Sequence, residues 1–466
     1  MKNQKLLLGA LAALALSACT VGPDYKQPET PLPGAFGPGV DGPLAVQPDW
    51  WTLYGDAELT RVVELAFKQS PTVEKALAKV EEADAYVRQV GGNALPSVDA
   101  DGLAERSRRS SKAGPPAAQN FAGGTFNSFE GGLSTRFELD FYGKLRRARE
   151  GAQAEAFASR EAGDAVRIML AGQVAAAYFS IRSLEAQHAA TAQLLGDARA
   201  SQALARKRAQ GGAASSLDVA QARGSVAALA AQDADLLRAR VLAENQLALL
   251  CGAPGLRLVA GPWGAPAPAP PAGLPSGLIN ARPDLRAAED RLKSANAAIG
   301  YAQAFKYPAF SITGALGAES RDLSKFLSGG ARTWSLGAGV YAPIFDGGQI
   351  NAQVDGAKAR ARQAAADYVG AVQAAFAEVQ DALVETRARA EMDGLLAERQ
   401  AAAQAAQAVA QSRYEGGYAP YLEVLDARSR VGEADLARLR NREAQFGASV
   451  QLFKALGGGW RAQQGN

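Results

Sequence analysis

The spacing of apolar residues changes several times along this chain, and each spacing predicts a different element. From Lys144 to Gln210 there are 67 residues without a proline, dominated by Ala, Gln, Glu, Arg and Leu, all strong helix formers. Within this stretch Val174, Ala177, Ile181, Leu184, His188, Thr191, Leu195 and Ala198 alternate steps of three and four. That is the seam of a coiled coil rather than the wider stripe of a globular helix. Such a helix would be about 100 Å long at 1.5 Å per residue. Residues 348–415 have the same character, and 216–250 and 421–456 are again helical. Two long helical hairpins are therefore predicted, turning at Gly211-Gly212 and Gly416-Gly417, where glycine ends a helix without steric penalty. Shorter helices are predicted at about 56–90 and 284–305.

Between the helices the period drops to two. Phe129, Gly131, Leu133, Thr135, Phe137, Leu139 and Phe141 fall on one face of a strand; Ser128, Glu130, Gly132, Ser134, Arg136, Glu138 and Asp140 fall on the other. Trp334, Leu336, Ala338, Val340 and Ala342 repeat the alternation, and weaker strands precede each near 97–106 and 309–319. Polar loops at 107–124 and 320–331 join the pairs. Such strands fit a transmembrane barrel or a soluble sandwich equally. The strand count separates the two. Four strands leave two open edges, which hydrocarbon does not tolerate, whereas a barrel needs eight or more. If the sheet is inserted, the chain must oligomerise, and three copies would bring twelve strands.

The chain is also written twice. Pro71 and Pro96 recur as Pro283 and Pro308, and Phe141-Tyr142-Gly143 recurs as Phe345-Asp346-Gly347. The run from Gly211 to Val219 recurs from Gly416 to Val424, with Ala222-Arg223 and Ala427-Arg428 in the same register. This order divides the chain into a leader 19–55, a first repeat 56–251, a linker 252–282, a second repeat 283–457 and a tail 458–466. The linker is rich in Pro and Gly and is expected to be extended.

Charge and composition remove several function classes. Lys plus Arg is 50 and Asp plus Glu is 47, too balanced for a nucleic-acid binder. One histidine and two cysteines leave neither a zinc framework nor a disulfide scaffold, and no cofactor or metal site is expected. His188 lies on the coiled-coil seam and reads as a packing or hydrogen-bonded residue. The loose dinucleotide pattern from Gly337 to Ala342 lies inside an alternating strand and precedes Pro343, so it lacks the strand-to-helix context it needs. At the start, Lys2 and Lys5 precede an apolar run, Leu6 to Leu16, too short to span a bilayer but right for a signal-peptide core. Residues 1–18 then form the signal peptide. Leu16-Ser17-Ala18-Cys19 resembles a bacterial lipobox, which implies a diacylglycerol on the Cys19 sulfur and an acyl chain on its new amino group. Several acyl chains anchor a protein where one binds only marginally.

Further strings complete the picture: Ala18-Cys19-Thr20-Val21-Gly22-Pro23-Asp24-Tyr25, Trp50-Trp51-Thr52-Leu53-Tyr54-Gly55-Asp56, Ala272-Gly273-Leu274-Pro275-Ser276, and Arg282-Pro283-Asp284-Leu285 through Glu289. Pro343-Ile344-Phe345-Asp346-Gly347-Gly348 and Arg413-Tyr414-Glu415-Gly416-Gly417 through Leu425-Asp426-Ala427 follow. In this order the chain resembles the TolC-like outer-membrane factors, in their lipoprotein branch, the NodT-type proteins of resistance-nodulation-division efflux systems. The resemblance implies a mainly α fold with a transmembrane β part: a homotrimeric 12-stranded barrel in the outer membrane, continued by a helical tube through the periplasm and girdled by an equatorial belt. It implies a passive exit duct rather than an enzyme. The duct would dock to a periplasmic adaptor and an inner-membrane pump and pass small molecules such as drugs, or alternatively metal ions or type I secretion substrates. A non-pore adaptor would carry its hairpin once, whereas here hairpin and strand pair are both duplicated.

The same resemblance places a periplasmic gate at the glycine turns. Leu422 and Asp426, four apart and hence on one helical face, would line the constriction, and threefold symmetry would make Asp426 a carboxylate ring that favours cations. Arg413 and Tyr414 match positions that tie neighbouring helices, with Asp218 and Glu423 adding acidic charge nearby. Arg428 stands where the family often has a neutral amide.

Overall fold

The computed structural model describes residues 20–33, 36, 46–108, 110, 125–212, 214–259, 261 and 275–459. The signal peptide, Cys19, the middle of the Pro/Gly linker and most of the C-terminal tail lie outside them. Residues 20–33 carry neither helix nor strand. A short 3-10 turn, Trp50–Tyr54, precedes helix α1, Ala57–Gln69. Asp56 caps α1: its Oδ1 accepts from the backbone N–H groups of Glu58 at 2.9 Å and Leu59 at 3.1 Å, satisfying donors that the first turn leaves free.

The single helix predicted near 56–90 is in fact two. Ser70 is extended, with φ −67° and ψ 123°, as the residue before a proline prefers, and α2 starts at Pro71, running Pro71–Gly92. The second copy repeats the device. There α5, Pro275–Ala281, stops at Arg282 and α6, Pro283–Ala304, begins at the next residue. The linker expected to be extended therefore ends in a helix.

Between these pairs lie β1, Ser97–Arg108, and β2, Thr125–Leu139, then α3, Lys144–Gln210, and α4, Ser216–Leu250. The second copy has β3, Ala309–Ser320, β4, Arg332–Tyr341, α7, Gln349–Glu415, and α8, Tyr421–Ala455. Among the described residues no helix is long and apolar enough to cross a membrane. By compactness the chain forms two units, each drawing on both copies (only described residues are meant): Met1–Pro28, Val80–Ser159 and Ala288–Tyr368 in the first, Glu29–Lys79, Arg160–Ala287 and Val369–Asn466 in the second.

The first unit holds one antiparallel sheet in the order β1-β2-β3-β4, so β1 and β4 are its edges. Leu133 of β2 stands opposite Ala100 of β1 and Leu316 of β3, which in turn faces Trp334 of β4. The same register aligns Phe137 with Ile312 and Phe310 with Val340. All four strands thus turn most of their apolar positions to one side, with Leu103, Phe126 and Tyr341 on the other. The other side carries Asp99, Asp101, Glu105, Glu130, Glu138 and Glu319 among serines and threonines, with Arg136 as its cation among the described strand residues. The apolar side is uncovered: Trp334 is 80% exposed and Leu336 76%. β2 and β4 end earlier than the alternation suggested, at Leu139 and Tyr341. Phe141 leaves the strand to pack edge-on against Phe310, 5.0 Å between ring centres. Tyr142 stacks on Tyr307 at 4.7 Å.

Residues 20–27 are pinned in the same unit. Val21 donates its N–H to Tyr142 O at 3.1 Å, the Arg147 guanidinium donates to Val21 O, Gly22 O and Asp24, and Tyr25 donates to Glu289. Gly22 has φ +108°, and a Cβ on Gly22 or Gly300 would collide with backbone of the Val21–Gly22 and α6 segments where they meet.

The second unit has the large core. Trp50 is fully buried and stacks on Phe453 at 5.1 Å, Phe179 stacks on Phe446 at 4.2 Å, and Tyr54 donates to Ser449 at 2.9 Å. Here the coiled-coil reading of α3 needs correction. Leu170, Ala171, Ala175, Tyr178, Phe179 and Arg182 are buried beside Val174 and Ile181, a stripe much wider than a seam. The 3-10 turn and α1 cover this part of the helix, and side chains of that size each contribute roughly 1.5–3 kcal/mol when buried. Cys251 is a buried free thiol in this core, pushed up to about 11 by burial. Farther along α3, His188 Nδ1 lies 2.7 Å from Asp233 Oδ1 of α4, a hydrogen-bonded residue as its place on the seam predicts.

Candidate functional site

The turns of the two hairpins, both in the second unit, bring together most of the chemistry singled out in the sequence. In the first hairpin Gly211 donates to Lys207 O, and Gly212, at φ +76°, turns the chain. Ser215 and Asp218 then form a reciprocal capping box: Asp218 N–H donates to Ser215 Oγ at 3.1 Å and Ser215 N–H to Asp218 Oδ2 at 3.0 Å. Asp218 thus spends its carboxylate on its own helix start.

In the second hairpin Gly417 takes the same φ of +76° and Tyr418 donates to Arg413 O at 2.8 Å. Helix α8 starts after Pro420 with no side-chain cap. Arg413 instead reaches across the turn to Glu423, Nη1 to Oε2 at 3.2 Å. Asp426 pairs with Arg430, one turn on, at 2.9 Å. Both pairs are largely solvated. Leu422 is 54% exposed, and it shares one open face with Asp426. Beneath that face lies a small core of Ala205, Ala222, Ala410, Tyr421, Val424 and Ala427, drawn from all four helices. Tyr414 packs against Tyr421 at 5.2 Å, and the Arg208 guanidinium sits 4.6 Å above the Tyr414 ring.

The structure therefore groups Arg413, Tyr414 and Glu423, keeps Leu422 and Asp426 together on the open face, and places Asp218 on the other hairpin. Arg208, Arg428 and Arg430 also act at this tip, and the sequence reading gave none of them a role. Cations near a helix end read as dipole partners or solvated charge; Arg428 was marked only as a departure from the family's neutral amide, and nothing in the pattern marked Arg208 or Arg430. Among the described residues no three His, Cys, Asp or Glu side chains gather into a set that could hold a metal ion. A cavity of about 790 Å³ lies elsewhere in the second unit, lined by Met169, Arg282, Asp284, Glu378, Gln451 and Lys454 among others. Arg282 bridges Glu378 and Asp284 there, each at 2.7 Å, and burial holds the Lys454 ammonium below its usual range.

The chain thus has a sheet apolar on one side, mostly polar on the other and open at both edges, together with two long helical hairpins. The Outer membrane efflux protein family model matches residues 62–253 and 274–458. The outer membrane protein OprJ of Pseudomonas aeruginosa is 34% identical, over 97% of this chain and 95% of its own. The cation efflux system protein CusC of Escherichia coli is 30% identical over 98% of this chain and 99% of its own. The solved structure of the outer-membrane channel OprN superposes with a TM-score of 0.86 at 28% identity, over 95% of this chain and 100% of that one. The chain belongs to the outer membrane efflux protein family, and it is an outer-membrane channel of an efflux system.

Proposed function

We propose that three copies of this chain close into a passive exit duct, anchored by acyl chains on Cys19 and gated at the hairpin tip. The observation that carries this reading is the sheet. Its apolar side suits hydrocarbon, but β1 and β4 end in unpaired backbone groups that hydrocarbon does not accept. Edges of further copies satisfy them, and three four-stranded sheets make a barrel of ordinary size. Exposed apolar residues of α4 and α7, Leu242 and Leu249 on one and Val384 and Leu395 on the other, suit contacts with further copies along a helical wall. Thr20, the neighbour of Cys19, packs against Gly143 beside the Tyr142–Tyr307 stack, which suits a lipid at the aromatic end of the strands. The duct would receive small molecules, drugs among them, from an inner-membrane pump through a periplasmic adaptor. Metal ions are the second reading, motivated by the CusC name. Leu422 and Asp426, projecting from one exposed face, would form the constriction.

Planar-bilayer recording tests the duct. The purified protein is expected to form ion-conducting channels from heat-sensitive trimers. A protein that stays monomeric and adds no conductance contradicts the proposal. Replacing Cys19 with Ala is expected to abolish radiolabelled palmitate incorporation, and undiminished labelling contradicts the anchor.

A further inference from the structure

We infer that Arg428 is the positioning residue that locks the second hairpin to the first and so sets how far the tip projects; the inference rests on the duct reading above. Tyr421, Val424, Arg428 and Val431 follow steps of three and four along α8, and the other three are buried. An arginine therefore occupies a position in line with the packed side of the helix. Its guanidinium crosses to α3, where Nη1 donates to Asp197 O at 3.4 Å and, in a short contact, to Ser201 Oγ. It also reaches α7, where Nη2 donates to Gln411 Oε1 at 3.3 Å. Each of these acceptors is neutral. Arg428 Nε is buried with no hydrogen-bond partner among the described residues.

A polar group inside a helical seam fixes register at a cost in stability. One residue here joins three helices of two hairpins, and one turn farther on Gly432 brings α8 close against Leu194 of α3. The contacts that involve Asp426 and Glu423 stay inside the second hairpin. Beside the shared apolar core and the Arg208–Tyr414 contact, the hydrogen-bonded link between hairpins at this level is thus carried by a cation held on neutral groups rather than by the acidic residues. A closed tip is satisfied while Arg428 keeps its acceptors; when the hairpins part, water hydrates the guanidinium and its orphaned Nε at once. Leu422 and Asp426 ride on the same helix within two turns of Arg428, so its register sets their position.

The test uses the full chain with spin labels on Ala200→Cys and Ser429→Cys, both exposed, while the native Cys251 stays buried. With doubly labelled chains diluted into an excess of unlabelled ones, double electron–electron resonance is expected to give one narrow distance in the parent and a longer, broader distribution in Arg428→Ala. Ser201→Ala, which keeps the arginine, should shift the distribution in the same direction by less, and the double variant no further than Arg428→Ala. Ser201→Asp, which offers a carboxylate, should narrow it. In planar bilayers Arg428→Ala is expected to raise open-channel time on the order of tenfold, the scale of a lost hydrogen bond to a charge. Unchanged distances in both Arg428→Ala and Ser201→Ala overturn the inference. If Arg428→Ala fails to assemble, Ser201→Ala and Ser201→Asp decide it by shifting in opposite directions or not. A shifted distance in a protein whose parent conducts nothing leaves the lock standing and removes the duct.

Discussion

Hairpin α3–α4 and hairpin α7–α8 have helices of identical length, 67 and 35 residues, and turn at glycines with the same φ of +76°. Their chemistry nevertheless differs at several matched positions. The capping residues Ser215 and Asp218 of the first correspond to Pro420 and Glu423 of the second, where no side chain caps the helix. Ser216 corresponds to buried Tyr421, Gln221 to Asp426, and exposed Arg223 to the bridging Arg428. Helix α4 buries Ala222, Glu244, Leu247 and Ala248, whereas α8 buries residues from Tyr421 through Ala455. The first hairpin completes its own turn with local hydrogen bonds. The second closes its turn with the Arg413–Glu423 pair and is also held from outside itself, by the shared core and by α3. A duplicated backbone has thus been divided into a half whose turn closes on itself and a half whose position depends on its neighbours, and Asp426, the proposed gate carboxylate, lies on the latter.

Matched substitutions put that division at risk. Tyr421→Ala is expected to have the largest effect, because it removes the largest side chain of the tip core; truncation of a buried aromatic costs roughly 3 kcal/mol. Amide hydrogen exchange across 415–430 should accelerate by about a hundredfold, while Ser216→Ala leaves its own turn unchanged. Equal effects at the two positions would erase the distinction. Next comes Asp426→Ala, expected to raise single-channel conductance and lower cation preference as a carboxylate ring is lost. Its ion pair with Arg430 is solvated, so stability should change by less than about 1 kcal/mol. Gln221→Ala should leave conductance and selectivity alone. Ser215→Ala removes the capping box, at about 1 kcal/mol, and should quicken exchange locally at 216–219 only. Arg223→Ala, the counterpart of Arg428, should change neither exchange nor conductance; a change as large as that from Arg428→Ala would show that the matched arginines act alike.

A smaller check concerns the covered part of α3. Cys251, with its thiol pushed up to about 11 by burial, should resist iodoacetamide at pH 8 in the folded protein and react once urea unfolds it. Rapid labelling of the native protein would mean that the core under α1 is open.

Most of the fold was legible because it is governed by local rules. The helix Lys144–Gln210 ends where the proline-free, glycine-terminated stretch ends, and the strand faces follow from strict alternation confirmed in the register of Leu133, Leu316 and Trp334. The break at Ser70 was missed although Pro71 was read as a repeat marker, because a proline is tolerated in the first helical turn and the apolar pattern runs on past it. The boundary at Pro283 was read, but the helix Pro275–Ala281 before it was hidden by the Pro/Gly-rich composition of the linker. The width of the buried stripe around Tyr178 could not be read from α3 alone. It depends on Trp50 and Tyr54, more than a hundred residues away in sequence. At the tip, the acidic residues stand out in the sequence, and their ion pairs with Arg413 and Arg430 have helical or across-turn spacing. Arg428 stands out only as a departure from the family's neutral amide, which names no partner for it. Its partners Asp197 O and Ser201 Oγ lie on a helix over two hundred residues earlier, and a lone arginine on a helix ordinarily reads as solvated.

If one chain supplies one third of a closed wall, as proposed, light scattering of the purified protein in detergent, corrected for bound detergent, should give a protein mass of three chains. A stable mass of one chain, in protein that retains its sheet, would show that the wall is not built this way.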